Sequence, residues 1–328
     1  MNKGVCFAST LRSNHLINKK EQKTIKQMKV LITGATGLIG QEISKQLNAK
    51  NIVVHYLSTQ KNNLKNLPNY KGFHWDIPSK TIDKTAFEGI THIIHLAGAS
   101  ISKRWTKSYQ KEILESRILS SQLLFDYLKN NSHQVQQIVT ASAIGIYKSD
   151  ETFTYSENNT TYSNSFLSEV VQKWENATQQ FKSLNIDVCT IRIGLVMAKN
   201  GGMLPEVSKP IKFGLGAVMG NGKQWQSWIH IEDLSKLFVF ALENNLNGTY
   251  NGVAPNPISH QEMTKIIAKT LKRPLFLPNI PKFFMKLILG SMHELLFESQ
   301  KVSAEKIINS GFEFEFTDFE TVAKDLLM

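Results

Sequence analysis

Three glycines constrain this chain more than any other feature: Gly34, Gly37 and Gly40, within Gly34-Ala35-Thr36-Gly37-Leu38-Ile39-Gly40. Met28 to Thr33, just before them, is a short apolar run that reads as a strand. Ile39, Ile43 and Leu47 recur at helical spacing, and Ile52 to Leu57 reads as a second strand. Gly34 suits the tight exit from the strand, Gly37 keeps a Cβ out of the space above the helix start, and Gly40 lets the helix lie close on the sheet. Amides at such a helix start bind a pyrophosphate. Gly34, Ala35, Thr36, Gly37, Leu38, Ile39 and Gly40 are therefore cofactor-side candidates. The competing reading is a purely structural strand–turn–helix corner. No Gly-Lys-Ser/Thr ending follows, which argues against a triphosphate loop. A flavin would use the same turn.

Farther along, the pattern keeps alternating. Phe73 to Asp76, His92 to Leu96, Gln136 to Ala141 and Val188 to Ile193 read as strands. Ser108 to Lys129 and Phe166 to Leu184 read as helices, with the polar stretch Lys148 to Asn164 as a loop. Such alternation predicts an α/β, Rossmann-like, mainly parallel sheet with helices on both faces. Past residue 200 it breaks, because Gly201, Gly202, Gly214, Gly216, Gly220 and Gly222 crowd one stretch. Trp228 to Ile231 then leads into a helix from Glu232 to Leu242, and Ser259-x-x-Glu262 and Thr317-x-x-Glu320 are capping-box patterns. The expected organisation is a flexible extension over 1–27, a dinucleotide-binding domain over 28–200 and a substrate-side loop region over 201–227. Residues 228–257 return to the first domain, and 258–328 form a smaller C-terminal accessory region.

Composition narrows the function classes. The net charge is +11, but arginine occurs only at Arg12, Arg104, Arg117, Arg192 and Arg273, and the lysines are scattered. Reading base edges favours clustered arginine, so a nucleic-acid partner is not expected. Two cysteines, Cys6 and Cys189, make neither a disulfide framework nor a zinc site. No apolar run reaches the length of a membrane span. The histidines show no metal-ligand spacing, so no metal is expected, and a cytoplasmic protein is.

An acid at the tip of the second strand would favour NAD through two ribose hydroxyls. Here the tip reads Ser58-Thr59-Gln60-Lys61. Ser58 and Thr59 suit a 2′-phosphate and Lys61 its charge, which favours NADP over NAD.

The glycine loop, His95-Leu96-Ala97-Gly98-Ala99 and Ser142 after the fifth strand resemble the extended short-chain dehydrogenase/reductase superfamily. More narrowly, residues 29–328 resemble the sugar-nucleotide-epimerase-like family whose animal member is an atypical short-chain reductase. Leu96-Ala97-Gly98-Ala99 with Arg104-Trp105-Thr106, Glu115-Ser116-Arg117, Ala141 to Tyr147, Trp174-Glu175, Arg192-Ile193-Gly194, Trp228 to Asp233 and Asn251 to Pro257 carry the likeness. The resemblance implies an NAD(P)-binding domain, with Leu96, Ala97 and Gly98 on the cofactor side, and a smaller substrate-side module. It places Ser142 at the superfamily's catalytic serine. The Tyr-x-x-x-Lys helix, however, reads Phe166-Leu167-Ser168-Glu169-Val170. Neither Phe166 nor Val170 can exchange a proton.

Tyr147, five residues after Ser142, is the candidate replacement proton donor, with loop positioning as its structural alternative. Arg104, Trp105, Lys223, Gln224, Trp225 and His230 are the substrate-side candidates; each has a structural alternative, as loop anchors or buried hydrogen-bonding groups. Arg117 reads either as a ligand contact or as one end of an internal salt bridge. The expected function is an atypical NADP-dependent oxidoreductase acting on a small polar substrate. The alternatives are a cofactor-binding regulatory or interaction protein with little oxidoreductase activity and a sugar-nucleotide epimerase; a homo-oligomer or a protein partner is carried as a further expectation.

Overall fold

The structure is a computed structural model that describes residues 28–328; the expectation for residues 1–27 lies outside the described residues. Lys29–Thr33 (β1), Leu38–Ala49 (α1) and Val53–Ser58 (β2) form the opening βαβ unit. Asn66–Leu67 (β3), Tyr70–Asp76 (β4), Thr81–Ile82 (β5) and His92–His95 (β6) follow. Next come Lys107–Asn130 (α2), Gln137–Ala143 (β7), Asp150–Tyr155 (β8), Phe166–Gln179 (α3) and Asp187–Ile193 (β9). The chain then leaves the main sheet through Leu195–Ala198 (β10), Gly201–Gly202 (β11), Leu204–Lys212 (α4), Trp225–Gln226 (β12) and Trp228–His230 (β13). Ile231–Glu243 (α5) and Gly248–Gly252 (β14) return to it. Ile258–Ser259 (β15), His260–Thr270 (α6), Lys282–Leu289 (α7), Glu294–Phe297 (α8), Gln300–Val302 (β16), Glu305–Asn309 (α9) and Phe319–Leu327 (α10) are the remaining elements.

Seven strands run parallel in the order β14-β9-β7-β6-β1-β2-β4, and the short β3 and β5 pair antiparallel with β4. Alternation along β1 divides the core between the two faces of the sheet. Val30 and Ile32 pack with Ile43 and Leu47 of α1 and Leu234 and Phe238 of α5. Leu31 faces the other way, with Leu124 and Leu128 of α2 and Phe181. A third apolar cluster joins α4, α6 and α10. The Rossmann-like expectation is met, and with it the smaller C-terminal region.

Local differences have physical causes. The stretch read as a loop over Lys148 to Asn164 contains β8, mostly exposed, which exists because β16 from the C-terminal region pairs with it. The glycine-rich stretch over 201–227 holds α4, whose Leu204, Val207 and Ile211 are buried. Trp228–His230 pairs with β10 rather than joining the main sheet. The Ser259/Glu262 capping box forms as expected. At α10 the cap is Asp318, not Thr317; its Oδ1 accepts from the Thr321 amide at 2.9 Å.

The ends of β1 and β6 are tied by a buried chain of hydrogen bonds. Thr33 Oγ1 accepts from the amides of Leu96 and Ala97 and lies 2.8 Å from His95 Nδ1. His95 Nε2 lies 2.9 Å from Ser121 Oγ, which donates to the Arg117 carbonyl. One direction satisfies all of these: the threonine hydroxyl donates to Nδ1, and Nε2–H donates to the serine. Burial pushes both His95 and His260 down to about 4. Each stays neutral in the folded chain where it would already be protonated in the unfolded one. Stability should therefore fall as pH drops from about 6.5 towards about 4, by roughly 3 kcal/mol per histidine. Urea midpoints on either side of that window test this, and equal midpoints contradict it.

Candidate functional site

The glycine turn has the conformation its residues imply. Gly34 has φ +73°, and the Gly37 amide donates to the Gly34 carbonyl at 3.0 Å. A Cβ on Gly40 would stand 2.3 Å from that carbonyl oxygen, so only glycine fits. Gly37 caps α1 with no side-chain oxygen, and the helix has no acid in its first turn. Its free amides and dipole are thus offered outward, as a diphosphate needs. Thr33 pairs with Leu57, which sets Ser58, Thr59 and Lys61 beside Gly34 at the same sheet edge. Ser58 Oγ accepts from the Gln60 amide, while Thr59 and Lys61 are exposed. Leu96 and Ala97 are pinned to the same edge through Thr33, and a Cβ on Gly98 would press on the Arg117 side chain at 3.1 Å. The residues from Gly34 to Gly40, Ser58 and Leu96 to Gly98 therefore form one cradle at the carboxyl edge of the sheet.

Ser142 sits next to the end of β7, on the wall of a cavity of about 310 Å³. The same cavity is lined by Ile39, Leu96, Arg117, Trp174, Trp225 and Glu298. Ser142 Oγ donates to Glu175 Oε1 at 2.6 Å. Arg192, on β9, clamps that carboxylate with Nε to Oε1 and Nη2 to Oε2, both at 2.8 Å. Its Nη1 donates to the Tyr147 hydroxyl at 3.0 Å, and Tyr147 donates to Asn251 Oδ1 at 2.8 Å. Burial works against the Arg192 charge, but Glu175 outweighs it and holds the guanidinium above its usual range.

Tyr147 is thereby placed differently from its expected position. The helical turn Ile144–Ile146 rotates it into the core, where it is fully buried and its hydroxyl is occupied. It does not line the cavity. Burial raises its pKa despite Arg192. Its geometry is that of a residue positioning Arg192.

The substrate-side candidates scatter. Trp105 is buried and packs edge-on against Phe166, with ring centroids 5.4 Å apart. Phe166 is thus explained by packing, and Val170 by the same cluster. Arg104 and Lys223 are exposed. The buried Gln224 amide donates to the carbonyls of Met219 and Leu296. Only Trp225 lines the cavity, with its indole N–H donating to the Glu151 carbonyl and Lys301 over its ring. His230 caps α5 through Nδ1, stacks on Phe316 and points Nε2 at Asp325, 3.3 Å away. It takes no part in the cavity.

Three further residues stand on the cavity wall: Arg117, Trp174 and Glu298. Arg117 forms no ion pair among the described residues, which settles its salt-bridge alternative. It donates to the Ile113 carbonyl, lies over the Trp174 ring at 5.0 Å and is pushed down to about 10 by burial. Trp174 keeps a buried indole N–H with no hydrogen-bond partner. Glu298 is pushed up to about 7, first by burial and then by the charge of Glu294, with Lys282 opposing. A strap holds it in place. The Ser299 amide donates to Ser149 Oγ, the Asp150 amide to the Ser299 carbonyl, and Ser227 Oγ to the Gln300 carbonyl. The sequence signal for Glu298 was faint: two acids four apart, Glu294 and Glu298, around the apolar Leu295-Leu296-Phe297.

Next to this cavity, and sharing Ile101, Gly194, Leu195, Val196 and Leu295 with it, lies a second one of about 420 Å³. Met203, Val207, Met219, Met285, Leu289 and Met292 are among its walls, which hold no lysine or arginine. Among the described residues no three His, Cys, Asp or Glu side chains gather as a metal would require. No described helix is long and apolar enough to cross a membrane.

Sheet, turn and cavity together define a dinucleotide-binding Rossmann protein of the short-chain dehydrogenase/reductase kind. The chain belongs to the NAD dependent epimerase/dehydratase family, whose profile matches residues 30–252. A domain of unknown function, DUF1731, matches residues 280–326, which contain Glu298. An epimerase family protein of Staphylococcus saprophyticus is 36% identical over 301 residues, covering 90% of this chain and 98% of that protein. The human epimerase family protein SDR39U1 (isoform 2), solved with NADPH, is 29% identical with a TM-score of 0.80, covering 91% of this chain and 99% of that one. A nucleoside-diphosphate sugar epimerase of Corynebacterium glutamicum is 27% identical with a TM-score of 0.73, covering 97% of this chain and 65% of the other.

Proposed function

We propose that this protein is an atypical NADP-dependent oxidoreductase acting on a small molecule at a carbonyl or hydroxyl group. The observation that carries this reading is that Ser142, oriented by Glu175, and the uncharged-leaning Glu298 line one cavity beside the glycine cradle. The residues from Gly34 to Gly40, with Leu96, Ala97 and Gly98, would hold a nicotinamide dinucleotide. When bound, such a cofactor supplies or accepts a hydride. In this structure Ser142 Oγ donates to Glu175; turning that hydroxyl toward the cavity would let it donate to the substrate oxygen while Glu298 exchanges the proton there. Glu175, clamped by Arg192, holds the serine in place at the cavity wall. Glu298 then exchanges the proton: protonated, it gives a proton to the substrate oxygen in reduction, and ionised, it takes one in oxidation. This assigns to the C-terminal module the task that Tyr-x-x-x-Lys performs in the wider superfamily.

NADP is favoured by Ser58, Thr59 and Lys61 and by the absence of an acid at the end of β2; the relative solved with NADPH supports the same choice. The test is a fluorescence titration with NADPH and NADH, followed by NADPH consumption over a panel of aldehydes and ketones. NADPH should bind at least about tenfold more tightly, a difference of about 1.4 kcal/mol; tighter NADH binding overturns the NADP assignment. Binding without turnover would favour the regulatory reading, which Phe166 and Val170 motivate. Epimerisation of a nucleotide sugar at one carbon would favour the epimerase reading, to which the Corynebacterium relative points.

A further inference from the structure

The second cavity is closed on one side by α7, and that helix has two apolar faces. Met285 and Leu289 turn inward and line the cavity. Phe283 and Leu287 turn outward and are 75% and 78% exposed, with Phe284 and Ile288 about half exposed. Neighbouring segments extend the outer face. Met219 bridges to Ile280, and Gly216 lies against Leu275, which brings the loop after α4 beside the stretch before α7. That loop exposes Phe213 and Leu215, and the stretch exposes Phe276. Among the described residues Phe153 is the one other exposed aromatic, and an apolar surface of this extent marks a contact site.

Charge selects the occupant. Lys282 and Lys286 are on α7, Lys209 and Lys212 on α4, and Lys272 and Arg273 precede Phe276. None of the six forms an ion pair among the described residues. A second copy of the chain docked face to face would set these cations against their own equivalents. An anionic lipid surface would meet both the lysines and the aromatic and aliphatic side chains, as it does for helices lying in the interface.

The geometry points to a peripheral membrane contact: the outer face of α7 docks on an anionic bilayer, and the methionine- and leucine-lined chamber behind it receives the apolar body of a lipophilic substrate. The reactive oxygen of that substrate would reach Ser142 through the wall shared by the two cavities. This inference rests on the oxidoreductase reading for the chemistry, but not for the docking. A chamber without lysine or arginine offers nothing to the phosphates of a polar head, whereas its methionines adapt to irregular apolar shapes.

The docking arm uses the full chain with vesicles of phosphatidylcholine alone and of phosphatidylcholine mixed with phosphatidylserine. Sedimentation with the mixed vesicles only, weakening with salt, is the expected result. Phe283→Ser with Leu287→Ser should lower the partition at least about tenfold. Both side chains are exposed, so the fold should survive, and circular dichroism checks that it does. No sedimentation, equal sedimentation with both lipids, or a dimer in light scattering that the double variant dissociates, overturns the docking. The chamber arm titrates the vesicle-free protein calorimetrically with decanol and with glycerol. Saturable decanol binding with none for glycerol is expected; decanol binding no better than glycerol overturns the chamber assignment. NADPH titration of the same samples reports separately on the oxidoreductase reading, since neither arm involves the glycine cradle.

Discussion

Glu298→Gln is expected to lower turnover by about 10²–10⁴-fold, the range general acid–base catalysis supplies, while leaving NADPH affinity within about twofold of the wild type. Glutamine keeps the shape of the side chain and can still accept from Gln300, but it cannot give up or take a proton at neutral pH. The pH profile separates a proton-exchanging group from a merely structural one. The Glu298 carboxyl is held near 7 by burial and by Glu294. Reduction needs its protonated form, so the reductive rate should fall as pH rises through about 7, and the oxidative rate should fall as pH drops through it. Both breaks should disappear in Glu298→Gln. Turnover near the wild-type level, or breaks that persist in the variant, would assign proton exchange to another group.

The second large effect concerns the clamp behind Ser142. Glu175→Ala leaves Arg192 buried with its charge uncompensated, and removing one member of such a pair costs about 3–5 kcal/mol. Arg192→Met should cost a similar amount, because it strands Glu175. The double variant Glu175→Leu with Arg192→Met removes both charges and should recover most of that loss, since an apolar pair of similar volume often replaces a buried ion pair at little cost. Urea denaturation of the three variants tests this. A double variant as unstable as the sum of the two single ones would mean that the packing of these side chains, not their charge, holds this corner together. The recovered fold would still lack the acceptor that orients Ser142, so its turnover should stay low.

Features written in local pattern were legible from the chain alone. The spacing of Gly34, Gly37 and Gly40 marks the turn, and alternation in β1 and the 3.6-residue period of α1 set which sides are buried. Ser142 was located through the resemblance, which places the superfamily's serine at the end of this strand. What escaped depends on partners far away in sequence. The strand β8 carries almost no apolar pattern of its own and takes its shape from β16. Glu298 reads as a surface acid until that same pairing draws it over the sheet edge. Tyr147 misled for a different reason. Its distance from Ser142 along the chain is short, but a single helical turn at Ile144–Ile146 redirects its ring, and no propensity scale gives the direction in which a short turn leaves a strand.

The strap from Glu298 to Val302 gives the two parts of the molecule a shared fate. It is stitched to Ser149 and Asp150 on one side and to Ser227 on the other, so the C-terminal module is anchored at the very point where it reaches the cavity. On the proposed chemistry, an ancestor that exchanged this module for another would have changed its proton donor and one wall of its chamber in a single step. The cofactor cradle would have been left untouched. Selection on substrate and selection on mechanism would then act on the same few residues, and a lineage could not readily adjust one without revising the other.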